Sequence, residues 1–272
     1  MIPFAKWQGC GNDFVLLQVE DLKKAGFSDG LTPDQIRRIC DRRFGVGSDG
    51  LITLERSDRG LICLMWNPDG SQSGMCGNGI RCAARYSLEK GLWQEGVPFW
   101  MSDRLMGIAV EREQVTVAMG FPSGDPWDPS QTELPPSRFQ LEVLGGSIDA
   151  WGVSFGNPHL VVVTRNLNQV DLHQLGPALE RHPDLPGSTN AHFVQMVSRS
   201  RAVALHWERG AGATLGCGSG ASAIFAVLRS LGLCDSPLQL SLPGGVLTLS
   251  GDDQGVHKQG PAGESFSGWL KP

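Results

Sequence analysis

Met75-Cys76-Gly77-Asn78-Gly79 and Gly216-Cys217-Gly218-Ser219-Gly220 are one turn written twice, and their spacing decides how the rest of the chain is read. A tryptophan, Trp66 or Trp207, stands ten positions before each cysteine, and a Gly-Leu pair begins fifteen positions after it, at Gly91 and Gly232. The offset is 141 residues throughout. The register extends upstream: Asp49-Gly50-Leu51-Ile52 and Asn190-Ala191-His192-Phe193 each begin 27 residues before their cysteine. Further back, Gly11-Asn12-Asp13-Phe14 answers Gly156-Asn157-Pro158-His159 with a slip of four. A period this long is no solenoid repeat and describes a duplicated half.

The chemistry of the turn follows from its residues. Glycines around the cysteine permit tight backbone geometry and close approach of a ligand to the main chain. Each turn leads into a predicted helix. In 79–88, Ile80, Ala83, Ala84 and Leu88 share one side, with Arg81 and Arg85 elsewhere; 221–231 is apolar nearly all round, as a buried helix is. A cysteine at a helix N-terminus meets unpaired N–H groups at the positive end of the dipole, which favours its thiolate. The same N–H groups can hold a carboxylate. Two such turns would offer two thiols to the two faces of one small carboxylate-bearing carbon acid.

Composition narrows the classes. The 272 residues are 40% hydrophobic and 19% charged, ordinary for a globular chain of two domains. The net charge of -5 predicts no broad basic surface and so no nucleic-acid partner. Seven cysteines at irregular spacing argue against a secreted disulfide framework. No apolar run approaches a membrane span and no signal-like segment follows Lys6, so the expectation is a cytoplasmic protein without a membrane partner.

Along the chain, Phe4 to Glu20 holds two apolar stretches around the polar loop 9–13, as in strand, loop, strand. Thr32 predicts a helix cap with Pro33 at the first position and a helix running to Cys40. Strands are expected at 51–54, 61–66, 108–110 and 115–119, then at 159–164, 203–207, 238–242, 246–249 and 266–270. The stretch 121–136, rich in Pro, Ser and Asp, is the expected linker between halves.

The sequence resembles the diaminopimelate epimerase family over nearly its whole length. The matching blocks are Phe4-Ala5-Lys6, Cys10 to Phe14, Asp41 to Gly50, Asn67 to Gly70, the Cys76 turn, Gly156 to His159, Asn190, Glu208 to Gly212, the Cys217 turn and Leu242 to Gly245. The resemblance implies an α/β (α+β) fold of two pseudo-symmetric domains, each a curved, mostly antiparallel sheet wrapped around a central helix, with the active site in the cleft between them. It divides the chain into 1–120 plus a returning strand at 262–272, carrying Cys76, and 121–261, carrying Cys217. The implied activity is epimerisation of LL-2,6-diaminoheptanedioate to the meso form, with a small diamino diacid as partner and no metal. A homodimer is left open. By the same resemblance Cys76 and Cys217 exchange the roles of base and acid, with His159 and Glu208 assisting them. Asn12, Asn67, Asn157, Asn190 and Arg209 match positions for the remote end of the substrate, and Gly77, Asn78, Gly218 and Ser219 those for its reacting end.

Blander readings stand beside these. A free cysteine is usually a buried small hydrophobe, which suits Cys10, Cys40, Cys63, Cys82 and Cys234 but not two turns in matched register. An isolated asparagine is most often a turn residue, Asn157-Pro158-His159 reads alone as a capped turn, and Glu208 alone as a solvated charge. The spacing of Cys76 and Cys82 does not suit a structural zinc site. None of the six lysines lies in the repeated blocks near the cysteines, so no cofactor is expected. Ala213, Ser222, His192 and Arg43 depart from the family's commoner residues (Glu, Cys, an acid and His), which bears on substrate fit more than on reaction class. The rivals are a racemase of another amino acid, a phenazine-biosynthesis type isomerase, which lacks the cysteine pair, and a non-catalytic amino-acid binding protein.

Overall fold

The helices expected after the two turns are Gly77–Glu89 and Gly218–Ser230. The computed structural model describes residues 1–73, 77–128 and 135–271. Cys76, with Gly74 and Met75, therefore lies outside the described residues, as does the 129–134 part of the expected linker. The chain divides into two units, residues 1–117 with 260–272, and residues 118–259. It passes from the first to the second within the strand Gln114–Gly120 and returns within the strand Gly255–Pro261.

The duplication read from the turns is visible in the strand pairing. In the first unit Ile2–Gly9 pairs antiparallel with Asn12–Gln18, which pairs parallel with Gly50–Ser57. That strand pairs antiparallel with Gly60–Trp66, which lies parallel to Phe99–Met101. The second unit repeats the succession: Gly146–Ser154 and Pro158–Val163 antiparallel, then Asn190–Ser198 parallel, Arg201–Glu208 antiparallel and Leu238–Leu242 parallel. Each parallel step needs a crossover, and the helices supply it. The helix Gly77–Glu89 serves the last crossover of the first unit and Gly218–Ser230 that of the second.

Both crossover helices are buried. Gly218–Ser230 presents buried Ala221, Ile224, Phe225, Val227 and Leu228, as its all-round apolar sequence predicts. In Gly77–Glu89 the expectation fails at one residue. Arg81 is fully buried: its Nε donates to Pro261 O at 3.2 Å, Nη1 to Asn78 Oδ1 at 2.9 Å and Nη2 to Cys10 Sγ at 3.6 Å. A buried guanidinium is tolerable only with such a set of acceptors. The part of 121–136 that is described is packed rather than free, with Trp127 edge-on to Phe139 at 5.8 Å and Ser123 bridged to Ser154. At the other end of the chain Gly263–Leu270 pairs with the first strand from Ile2↔Leu270 to Gln8↔Gly263.

Local signals account for the ends of the elements. Thr32 caps its helix as expected, and more fully: its Oγ1 accepts from Gln35 N–H while Gln35 Oε1 accepts from Thr32 N–H, a reciprocal box. The first hairpin turns on Cys10 (φ 55°) and Gly11 (φ 78°), both left-handed, between the paired Gly9 and Asn12. A charged network fastens this hairpin. Buried Lys6 donates to Gly47 O and pairs with Asp13 at 2.9 Å, and Arg42 holds Asp13 through both carboxylate oxygens and Asp49 at 2.6 Å. Among the described residues no helix is long and apolar enough to cross a membrane.

The Asp13 carboxyl is held down to about 2, from an ordinary 3.8: burial pushes it up, but hydrogen bonds from Arg42 and Lys6 outweigh that. With the folded-state value below the unfolded one, the stabilisation is complete above about pH 4 and is lost as pH falls towards 2. Asp13→Asn is expected to cost about 2 kcal/mol at neutral pH. Urea unfolding at neutral pH and in acid should show the gap from wild type narrowing below about pH 4.

Candidate active site

The second unit brings most of its predicted site residues to the edge of one helix. Cys217 is the N-cap of Gly218–Ser230, in extended conformation (φ -101°, ψ 117°), and its Sγ accepts from Gly220 N–H at 3.3 Å. Ser219 Oγ lies 3.7 Å from the same sulfur. Gly218 and Ser219 are the first two helical residues, so their N–H groups precede the intrahelical ladder. Glu208, at the end of the strand Arg201–Glu208, places its carboxylate charge near the Cys217 thiol.

At Cys217 the pull of the helix N-terminus towards a thiolate is opposed. Burial pushes the Cys217 thiol well above the ordinary cysteine value, and the Glu208 carboxylate adds to the rise. The Gly220 N–H and Ser219 hydroxyl pull in the opposite direction and are outweighed. Dipole stabilisation of a thiolate is typically worth a kcal/mol or so, whereas desolvating a charge at a buried sulfur costs several. Cys217 is thus a thiol with a carboxylate near it, a group poised to give up a proton.

His159 and the predicted asparagines stand on neighbouring strands. His159 is fully buried in Pro158–Val163, with Nε2 3.0 Å from Asn157 Oδ1. Asn190 is buried and commits both ends of its amide: Nδ2 donates to Pro158 O at 2.8 Å and Oδ1 accepts from Arg209 N–H at 3.0 Å. Its place is that of a brace holding the 208–210 segment to the strand of His159. Arg209 is exposed, with Nη1 3.4 Å from Ser188 O. Glu180 completes the brace, accepting from Trp207 Nε1 at 2.7 Å and Gly210 N–H at 3.1 Å.

Glu180, the last residue of the helix Leu172–Glu180, was not among the candidates. Two further buried residues, His192 and His206, join His159 through their rings. Their signal was two histidines at inward positions of strands, which sequence reading noted only as a departure at His192.

In the first unit Asn12 Nδ2 donates to Asp49 Oδ2 at 3.0 Å, and Asn67 closes its own turn through Ser71, Nδ2 to Oγ at 3.0 Å. Gly77 and Asn78 open the helix Gly77–Glu89 and are buried. Arg81 ties Asn78 to Cys10, and so links that helix start to the hairpin carrying Asn12. The five other cysteines of the chain are all buried and unbridged. Among the described residues no group of three or more His, Cys, Asp or Glu side chains is arranged to hold a metal.

Comparison with known proteins agrees with this layout. The family model described as diaminopimelate epimerase matches residues 4–123 and 152–263. A diaminopimelate epimerase of Carboxydothermus hydrogenoformans is 39% identical, covering 98% of both chains. One of Prochlorococcus marinus is 38% identical over 100% of this chain and 93% of its own. Among solved structures, a phenazine biosynthesis protein PhzF family member of Enterococcus faecalis superposes with TM-score 0.71 at 15% identity, covering 99% of each chain. A hydroxyproline epimerase of Agrobacterium vitis gives 0.67 at 16%, covering 98% of this chain and 91% of that one. These two share the fold.

Removing the negative charge at Glu208 should lower the pKa of Cys217. In Glu208→Gln, peptide-resolved alkylation followed against pH is expected to place the Cys217 midpoint below that of wild type, with Cys63, which is raised by burial alone, unmoved.

Proposed function

This chain belongs to the diaminopimelate epimerase family, and from that premise we propose that it inverts one α-carbon of LL-2,6-diaminoheptanedioate to give the meso compound, without a cofactor. The observation that carries the mechanism is the buried Cys217, the N-cap of a helix whose Gly220 N–H it holds, in the turn that repeats that of Cys76. Inversion needs a base on one face of the carbon and an acid on the other. Cys217, protonated at rest, supplies the acid; Cys76, its counterpart in the repeated turn, supplies the thiolate base.

The thiolate takes the α-proton, and the electron pair of the broken C–H bond moves into the carboxylate as an enediolate. The Cys217 S–H then delivers its proton to the opposite face, leaving a thiolate there and a thiol at Cys76, so the reverse reaction begins with the roles exchanged. The backbone and side chains of Gly218 and Ser219, and of Gly77 and Asn78, receive the reacting end: N–H groups donate to the carboxylate, and carbonyl and side-chain oxygens accept from the amino group. Pre-organised donors of this kind stabilise the charge that develops as the proton leaves. Asn12, Asn67, Asn157 and Arg209 address the distal amino-acid end, Arg209 gripping its carboxylate, and Asn190 holds Arg209 in place.

The reaction places the protein in lysine and peptidoglycan-precursor biosynthesis, a cytoplasmic process acting on a small diamino diacid. Solvent deuterium at the α-carbon, followed by NMR, tests the assignment. Wild type should incorporate deuterium into LL-diaminopimelate and form the meso isomer, and Cys217→Ala and Cys76→Ala should each lose epimerisation by about 100-fold or more. A wild type that leaves this substrate untouched and exchanges a shorter amino acid would move the assignment to a sister racemase.

A further inference from the structure

Three histidines lie in a row under the Cys217 turn. His159, His192 and His206 are each fully buried, on the adjacent strands Pro158–Val163, Asn190–Ser198 and Arg201–Glu208. His192 and His206 face each other across their strands. His159 Nδ1 is 2.9 Å from His192 Nε2, and His192 Nδ1 is 2.7 Å from His206 Nδ1. The middle ring abuts the helix: a Cβ on Gly220 would lie 2.4 Å from His192 Cε1. Gly220 is the residue whose N–H holds Cys217 Sγ.

The proton pattern of the row is determined from its ends. Burial, reinforced by mutual repulsion and Arg209, drives His159 down to about 3; burial drives His206 to about 3 and His192 well below its ordinary value, so all three rings are neutral. A neutral imidazole has one donor and one acceptor. Asn157 Oδ1 only accepts, so His159 Nε2 carries the hydrogen and His159 Nδ1 a lone pair. His192 Nε2–H then donates to His159 Nδ1, and His206 Nδ1–H donates to His192 Nδ1. The row ends at His206 Nε2, a buried lone pair with no hydrogen-bond partner among the described residues. A row that ends in the core conducts no proton. It sets a direction.

We propose that His192 and His206 are positioning residues, which lock His159 as the neutral Nε2–H tautomer and so make it a fixed hydrogen-bond donor beside Asn157 rather than a proton-exchanging group. The proposal rests on the epimerase reading for its catalytic consequence, but not for the tautomers. Removing the middle ring leaves His159 free to take either tautomer, and in the wrong one its Nε2 meets Asn157 Oδ1, or a substrate oxygen, lone pair to lone pair. Glutamine at 192 offers one N–H donor and one carbonyl acceptor, and so can remake both bonds; leucine can remake neither.

The test is long-range proton–nitrogen correlation NMR on protein labelled with 15N-histidine, together with kinetics of the two variants. Wild type should show His159 and His192 as Nε2–H tautomers and His206 as Nδ1–H, unchanged from about pH 5 to 8. His192→Leu should mix the His159 tautomers and lower kcat by roughly 10- to 100-fold with KM little changed, and His192→Gln should restore a single tautomer and most of kcat. An Nδ1–H tautomer at His159 in wild type, a His159 that titrates in that range, or equal losses in the two variants would overturn the proposal. The wild-type spectrum decides even if a variant does not fold. Correct tautomers in a protein that does not epimerise the diamino diacid would sink the functional reading instead, whereas an active enzyme with the other tautomer would sink this one alone.

Discussion

A sulfur at the first turn of a buried helix is pulled two ways, and the outcome at Cys217 organises what surrounds it. The helix offers N–H groups and a positive dipole end, which favour negative charge. The burial that makes Gly218–Ser230 a core helix removes the water that would otherwise share that charge, and Glu208 adds a charge of the same sign. Had the turn been exposed, the dipole would have won. Because it is buried, the sulfur keeps its proton and needs an acceptor. The Asn190 and Glu180 brace holds the segment that carries Glu208 in position.

The two units meet the problem of presenting a polar group on a rigid frame with different materials. In the first, formal charges do it: Lys6, Asp13, Arg42 and Asp49 clamp the hairpin that presents Asn12. In the second, three imidazoles and an asparagine amide do most of it, with one carboxylate, Glu180. Charges tolerate partial exposure, and Arg42 and Asp49 have it. Full burial favours groups that can bond without ionising. Each arrangement suits its own depth.

What could be read from the sequence was local or periodic. The Thr32 cap, the two helix starts and the all-round apolar helix are written in a few neighbouring residues, and the structure places them where the pattern does. The fold class came from the repeated register and from resemblance, and the repeated order of strand pairings agrees with it. Arg81 escaped because helical periodicity assigns a lone arginine to solvent; beside Asn78 on its own helix, the acceptors that make its burial tolerable are Cys10 and Pro261, 71 and 180 residues away in sequence. Glu180 and His206 escaped for the same reason, since each acts through a partner distant in the chain. The described part of 121–136 turned on Trp127, whose ring finds Phe139 and packs a stretch of linker-like composition.

The pairing of the first strand with the last sets the order in which the protein can be made. Residues 118–259 precede the strand Gly263–Leu270 and form a compact unit before that strand has left the ribosome. The first unit, begun earlier, lacks this strand until residues 263–270 have been made. Until then Ile2–Gly9 is paired on one side only, by Asn12–Gln18, and its other edge is open to any passing strand. The half that starts first finishes last, and a truncation that removes Gly263–Leu270 leaves its damage on the first strand.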